Sequence, residues 1–346
     1  MVFDEESDMM KKSVILCLVI LFFAGLFLLL NPPIEEQIVE EFSAPTIETV
    51  GQPQAENKAD FFSFRGLSSK ALLEEMGEPL RKDPSEYGYD WWVYGSEEEI
   101  EMQFGIQDRE VVTGVLFKKD QGPVRVHDSY EEVAESYPFE SSYRLDSEGA
   151  YTLKLTEKDV AERPVISLGD RWTAQLYFDN VTNEIFAIRM LRNDILLKHQ
   201  PYKVVYRGNL PLQEILDEKA WGKIEDGMEA QILSMTNGVR ALHDAGPLLE
   251  HEEASFVAYA HSRDMKQNNY FSHYSQNGDG LKERLGEILY VRAGENIASQ
   301  YVDATAAVHG WLNSPGHRKA LLDPQYTHLG VGVHGRYYTQ NFLTVP

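Results

Sequence analysis

Alternating hydrophobic and polar positions predict strands in the first half of the chain. In "IEMQFGI", residues 100–106, apolar side chains alternate with Glu, Gln and Gly, as in a half-buried strand. "VVTGVLF" follows after Asp108-Arg109-Glu110, which suits a hairpin, and "RWTAQLYFDNVTNEIFAIRML" repeats the pattern around a turn at residues 179–183. A short helical stretch precedes each hairpin, "SSKALLEEMGEP" and "SYEEVAESYP". We therefore predict an antiparallel α+β domain over residues 61–205, and the repeated order hints at an internal duplication.

Helical spacing dominates the second half, and strands close it. We expect one helix to begin at a capping box formed by Asp226 and Glu229 and to end at Gly246-Pro247. The apolar faces of this helix and the two that follow consist of Ile232, Met235, Val239 and Leu242; Ala254, Val257, Ala258, His261 and Met265; and Ala304, Ala307, Val308, Trp311 and Leu312. His261 is accordingly predicted to be a core residue. "HLGVGVHGRYYTQNFL" predicts two strands, and its glycines at 330 and 332 leave one face open to close packing.

An apolar run near the N-terminus indicates a membrane anchor. Residues 13–30 read "SVILCLVILFFAGLFLLL" and follow two lysines, while Asn-Pro-Pro and several glutamates come after them. The positive flank predicts a cytoplasmic N-terminus, residues 1–12, and places everything after residue 30 on the extracytoplasmic side of the membrane. A cleaved signal peptide is the alternative, but no small-x-small site follows the run, which favours an uncleaved transmembrane helix. Residues 31–60 read as an extracytoplasmic linker, and residues 206–227 as a connector to a second domain at 228–346.

Charge and cysteine content narrow the class of protein. The formal net charge is −23, so no basic surface is available for nucleic acid, which we exclude as a partner. The only cysteine, Cys17, lies in the apolar run. Neither predicted domain therefore has a thiol for a disulfide, a metal or a nucleophile.

His317 stands in the first turn of a short predicted helix. Ser314 is a good N-cap and Pro315 suits the first helical position, so the helix should run from Pro315 to about Leu322. The positive end of the helix dipole disfavours imidazolium, so the ring should be neutral and able to bind a metal. A surface histidine that happens to follow a cap is the alternative. "HEEAS" resembles the zinc-protease pattern HExxH, but Ser255 replaces its second histidine.

Five short segments of the second half resemble one family. "YFSH", "AGENIA", "WLNSPGHRKALL", "THLGVGV" and "YYTQNF" occur in the order seen in the bacterial branch of the CAP family, the cysteine-rich secretory, antigen five and pathogenesis-related proteins. The resemblance covers roughly residues 228–346. "GEPLRKDPSEYGYDWWVYG" and "GIQDREVVTGV" resemble the domain that often precedes CAP modules in Firmicute-type bacteria.

The resemblance implies a three-layer α-β-α sandwich with a cleft lined by two histidines and acidic residues. His273, Glu295 and His317 match three of these positions, while the second acid falls near Asn313 or Ser314, where this chain has none. The lost acid puts full acid–base chemistry in doubt. The remaining two histidines and one carboxylate are compatible with a divalent metal such as zinc with an open position.

Two classes of function stay open. The first is a binding or interaction module on the bacterial cell surface, anchored by its N-terminal helix, whose ligand is a lipid, a peptide or a cell-wall component. The second is a metal-assisted hydrolase of peptide or wall material, with Glu295 as general base beside a metal held by His273 and His317. The missing acid and the absence of a G-x-S-x-G elbow or a complete HExxH favour the binding module.

Overall fold

The computed structural model describes residues 60–96, 98–118, 120–147 and 149–346. The predicted cytoplasmic segment, transmembrane helix and all but the last residue of the predicted linker lie outside the described residues. The described residues belong to one compact unit, Asn57–Pro346. None of the helices in these ranges combines the length and the apolar character needed to cross a bilayer.

A seven-stranded antiparallel sheet forms the centre of the N-terminal half, residues 60–207. Its order is β1-β2-β3-β4-β9-β8-β7, and a second sheet has the order β10-β6-β5. The strands are β1 Arg81–Pro84, β2 Asp90–Gly95, β3 Ile100–Gln107, β4 Glu110–Leu116, β5 Ser142–Leu145, β6 Ala150–Lys154, β7 Val165–Gly169, β8 Trp172–Asp179, β9 Glu184–Arg192 and β10 Lys203–Arg207. A 3-10 helix, Phe61–Phe64, precedes four helices: α1 Ser69–Met76, α2 Tyr130–Ser136, α3 Glu157–Glu162 and α4 Asn193–His199. The predicted antiparallel α+β architecture of this half is confirmed.

Both predicted hairpins are present, β3 with β4 and β8 with β9. The first turns through Asp108 and Arg109 at positive φ, as a tight two-residue connection requires. The alternation predicted strands with one buried face, but β8 is buried at every position. One side of it packs on the core of the N-terminal half through Leu176 and Phe178, and the other side, with Tyr177, joins a core shared with the C-terminal half. The face of β8 that carries Tyr177, which the sequence pattern predicted to be exposed, therefore packs in the core shared with the C-terminal half.

The C-terminal half, residues 217–346, has five helices and a four-stranded sheet of order β11-β13-β14-β12. Its elements are α5 Glu218–Leu242, β11 Leu249–Glu250, α6 Glu252–Gln267, α7 Leu281–Leu285, β12 Arg292–Ser299, α8 Ala304–Leu312, α9 Pro315–Leu321, β13 His328–His334 and β14 Tyr337–Thr344. The predicted start of the first helix is wrong. It begins at Glu218, where the Asp217 side chain accepts from the Ala220 backbone N–H, so Asp226 and Glu229 lie inside it. It ends at Leu242, before Gly246-Pro247.

Three layers form this half. Gly330 and Gly332 of β13 face α6 so closely that a Cβ would lie 2.3 Å from the Ala254 carbonyl carbon and 1.8 Å from the Tyr259 nitrogen, respectively. The predicted close packing on these glycines is confirmed. Leu329, Val331 and Val333 point to the other face, into the core that α5 and α8 help to build. His261, 1% exposed on α6, is buried as predicted.

Buried polar contacts join the two halves. Arg189 of β9 is fully buried, and its Nη2 donates to both oxygens of Asp303, the N-cap of α8, at 2.8 and 2.6 Å. Arg336, in the turn between β13 and β14, pairs with Glu86 at 2.9 Å through its Nε. Tyr87 Oη donates to the Val302 carbonyl at 3.0 Å. One continuous core runs beneath these contacts, so the halves form one folded body.

Candidate functional site

Strand β12 carries the acidic residue of the site. Glu295 stands opposite Asn341 of β14, and its side chain is only 4% exposed. Its Oε1 accepts a hydrogen bond from Nδ1 of His273 at 2.8 Å. His273 lies in the segment between α6 and α7, and half of its side chain is exposed. Nδ1 of His273 donates this hydrogen bond and therefore carries the ring proton. Nε2 is then the nitrogen with a lone pair for a ligand.

Arg284 of α7 holds this pair in place. Its Nη2 donates to Oε2 of Glu295, and its Nη1 donates to the backbone carbonyls of His273 at 2.9 Å and Asp279 at 3.1 Å. The guanidinium therefore neutralises the buried carboxylate and fixes the backbone that presents His273. Arg284 was not among the predicted site residues. The signal for it was present in the sequence, because a carboxylate on a buried strand needs a cation and "LKERL" supplies two basic side chains nearby.

His317 reaches the same surface from the opposite side. It is the third residue of α9, as predicted, and its ring centroid lies 6.4 Å from that of His273. Asn296, fully buried next to Glu295 on β12, donates to the His317 carbonyl at 3.1 Å. Burial, and then the neighbouring His273, lower the pKa of His317, so the ring is neutral at pH 7. The prediction relied instead on the helix dipole and on Ser314, whose side chain makes no capping hydrogen bond.

The position of the missing second acid serves another purpose. Asn313 Nδ2 donates to the Phe178 carbonyl at 2.8 Å, and its Oδ1 accepts from the Asn180 backbone N–H at 2.9 Å. Both partners belong to the N-terminal half. This side chain therefore contributes to the contact between the halves.

The structure brings His273, Glu295 and His317 together, with Glu295 behind His273. Within the described ranges, no three His, Cys, Asp or Glu side chains form a group arranged to hold a metal ion. Both Glu295 oxygens have partners, His273 and Arg284. The two imidazole rings are neighbours, tilted by 51° to one another, and the carboxylate orients the ring of His273.

The comparisons with known proteins agree with this architecture. Residues 66–202 match the CAP-associated N-terminal family, and residues 233–345 match the cysteine-rich secretory protein family. The membrane protein YlbC of Bacillus subtilis (strain 168) is 41% identical over 286 residues, which make up 81% of this chain and 82% of YlbC. This chain belongs to the CAP family. The family resemblance expected from its short motifs is confirmed.

Solved CAP structures extend the match to three dimensions. An extracellular protein containing an SCP domain from Bacillus anthracis str. Ames superposes with a TM-score of 0.78 at 38% identity, covering 86% of this chain and 99% of its own. A cysteine-rich secretory protein from Staphylococcus aureus subsp. aureus Mu50 gives a TM-score of 0.72 at 20% identity, covering 83% and 96%, and supports the fold alone. The mixed α+β fold is therefore that of CAP proteins with a preceding antiparallel sheet.

Proposed function

We propose that this CAP protein is a single-pass membrane protein whose folded halves lie outside the cell and act as a binding module. The apolar run at residues 13–30 and its lysine flank support the anchor and its orientation. The similar YlbC is a membrane protein, and the similar B. anthracis protein is extracellular. The ligand is a lipid, a peptide or a cell-wall component.

Within this proposal, His273 and His317 hold a divalent cation such as zinc. Metal-binding histidines commonly donate their second ring N–H to a carboxylate, which fixes the tautomer and the ring orientation. The hydrogen bond from His273 Nδ1 to Glu295 has this form. Two imidazoles leave the other positions of the metal for water or an external ligand. Glu295 then acts by orienting His273.

The hydrogen bonds that Glu295 already makes favour a binding function over hydrolysis. A general base needs a carboxylate oxygen within hydrogen-bond reach of the proton that it removes. Both oxygens of Glu295 already accept hydrogen bonds, from His273 and Arg284, and the side chain is 4% exposed. The same contacts suit a structural role behind a metal ligand. This observation is the principal support for the binding function.

Zinc titration calorimetry tests the metal part of the proposal. The fragment 57–346 is suitable because it is one compact unit, and because the B. anthracis protein folds with nearly its whole chain aligned to this one. We expect zinc to bind the unaltered fragment at pH 7.5 and His273→Ala or His317→Ala to abolish binding. Binding should weaken as the pH falls below about 6.5, where imidazole takes up a proton. His261→Ala should retain zinc and lose stability, since that ring is buried.

A second histidine pair provides the matched control. The rings of His251 and His328 lie 5.9 Å apart, close to the spacing of the candidate pair. Zinc binding that survives the His273/His317 double substitution, or that disappears in His328→Ala, would show that the metal binds elsewhere.

A further inference from the structure

The turn between β8 and β9, residues 179–183, lies against the junction of α8 and α9. The turn belongs to the N-terminal half, whereas both helices belong to the C-terminal half. The Phe178 carbonyl, just before the turn, accepts hydrogen bonds from His309 Nε2 at 2.9 Å and Asn313 Nδ2 at 2.8 Å. The Asn180 backbone N–H donates to Asn313 Oδ1 in return. The end of α8 is therefore fixed to the N-terminal half.

An ion pair extends this contact into α9. Arg318 directly follows His317 in the helix, and its Nη1 donates to Oδ1 of Asp179 at 2.8 Å. The same Nη1 donates to the Leu312 carbonyl at 3.2 Å, so the guanidinium joins α8, α9 and the end of β8. The side chains of Arg318 and Asp179 are only 13% and 6% exposed. Water and salt screen such a pair less than they screen a surface pair, so it restrains α9 more strongly.

Asp179 is itself held firmly. Its Oδ1 also accepts from the Val181 backbone N–H at 2.9 Å, and its carbonyl accepts from the Asn183 N–H at 2.8 Å. The strand that ends with Asp179 pairs with β9 inside the seven-stranded sheet. The carboxylate therefore offers α9 a fixed point on the N-terminal half.

The position of α9 depends on contacts of this kind. The helix has seven residues and no side-chain hydrogen bond at its N-cap, and so short a helix has little stability of its own. Asn296 of β12 holds the His317 carbonyl, and Asp179 holds the next residue, Arg318. The first contact comes from the C-terminal half and the second from the N-terminal half. Together they determine where the His317 ring lies relative to His273.

We propose that Asp179 and Arg318 are positioning residues of the histidine site, which hold α9 where His317 can share a metal ion with His273. The N-terminal half is then part of this site although it does not touch the ligand. This inference rests on the proposed function, in which the two histidines hold a divalent cation. Zinc–nitrogen bonds are about 2.0–2.1 Å long, so a small displacement of α9 weakens the site. Loss of groups that orient metal ligands commonly lowers the affinity by about 10–100-fold.

Zinc titration calorimetry on variants of the 57–346 fragment tests the proposal. Asp179→Ala and Arg318→Met should each raise the Kd for zinc about tenfold or more. The double variant should resemble the single variants, because both remove the same interaction. Glu86→Ala is the matched control: it breaks the ion pair with Arg336, another partly buried contact between the halves (side chains 11% and 25% exposed), and involves no residue of α9. It should bind zinc like the unaltered fragment.

A second measurement needs no metal. In the metal-free fragment, NMR should show a nuclear Overhauser effect between the ring protons of His273 and His317, whose centroids lie 6.4 Å apart. It should persist in Glu86→Ala and disappear in Asp179→Ala and Arg318→Met. Urea unfolding checks that each variant folds, and Arg318→Met, which keeps the aliphatic stem, carries the test if Asp179→Ala does not fold.

The two measurements separate this proposal from the metal proposal. A fragment that binds no zinc but shows the expected ring contacts refutes the metal site and supports the positioning role. Unchanged ring contact in Asp179→Ala and Arg318→Met overturns the positioning role, as does the absence of ring contact in the unaltered fragment. Equal losses in Glu86→Ala also overturn it, because they would mean that loosening any contact between the halves has the same effect.

Discussion

Replacing Glu229 by glutamine should stabilise the folded protein, increasingly so as the pH rises. Glu229 lies inside α5, and its Oε1 accepts from the Val333 backbone N–H of β13 at 2.8 Å. Burial raises its pKa to about 8, against the opposing effect of that N–H, and the nearby carboxylates Asp226, Glu225 and Glu250 add to the rise. The folded protein therefore holds a proton on Glu229 that the unfolded chain has already released.

The sign and size of the effect follow from this difference. The folded-state pKa is raised, so the free energy of unfolding falls as the pH rises from about 4.5 to about 8, and the full cost is present above that range. Since one pKa unit corresponds to about 1.4 kcal/mol, the cost reaches at most about 5 kcal/mol. The true value should be smaller, because Glu229 lines a pocket that is open to solvent. Glutamine keeps the acceptor for Val333 and cannot ionise.

Urea unfolding of the 57–346 fragment at several pH values measures this. The stability difference between Glu229→Gln and the unaltered fragment should be close to zero near pH 4.5 and grow to several kcal/mol, about 2–5, by pH 8.5. Titrating groups that do not interact with Glu229 cancel in the difference. Glu253→Gln, at an exposed position of α6, is the control and should show a small difference at every pH. A Glu229→Gln difference that does not grow with pH refutes the reasoning.

Three further predictions concern the contact between the halves, the packing of α6 and the topology. Asp303→Asn should lower the free energy of unfolding by about 3–5 kcal/mol in urea unfolding, since it leaves Arg189 buried without its charge partner. Arg189→Met should lower it less in the Asp303→Asn background than in the unaltered fragment. Gly332→Ala should cost about 3 kcal/mol or more, because its Cβ meets the α6 backbone, whereas Gly222→Ala, open to solvent on α5, should stabilise by up to about 1 kcal/mol. Protease added to intact cells stripped of outer layers should digest residues 61–346; their protection would contradict the proposed orientation.

Local patterns predicted the elements well where one physical signal dominated. Alternation located β3, β4, β8 and β9, and the glycines at 330 and 332 predicted a close neighbour. The first ten residues of α5, 218–227, were interpreted as part of the connector. Their helix is stabilised by contacts distant in sequence: Gly227 lets α5 approach Asp83 of β1, where a Cβ would lie 2.8 Å from the Asp83 Cβ. Such contacts leave no periodic pattern.

The candidate site was only partly predictable for the same reason. His273 and His317 belong to segments far apart along the chain, and only the family resemblance paired them. Asn296, which positions His317, carried no pattern of its own.

The paired charges between the halves constrain how this protein can be recombined with its relatives. A chimera that takes residues 60–207 from one CAP protein and the remainder from another inherits Arg189 without Asp303, or Glu86 without Arg336, unless both parents carry the same pairs. An exchange boundary between the halves cuts through a shared core as well. The C-terminal half therefore cannot be exchanged between relatives on its own. Grafts should succeed only when the surfaces on both sides of the contact are transferred together.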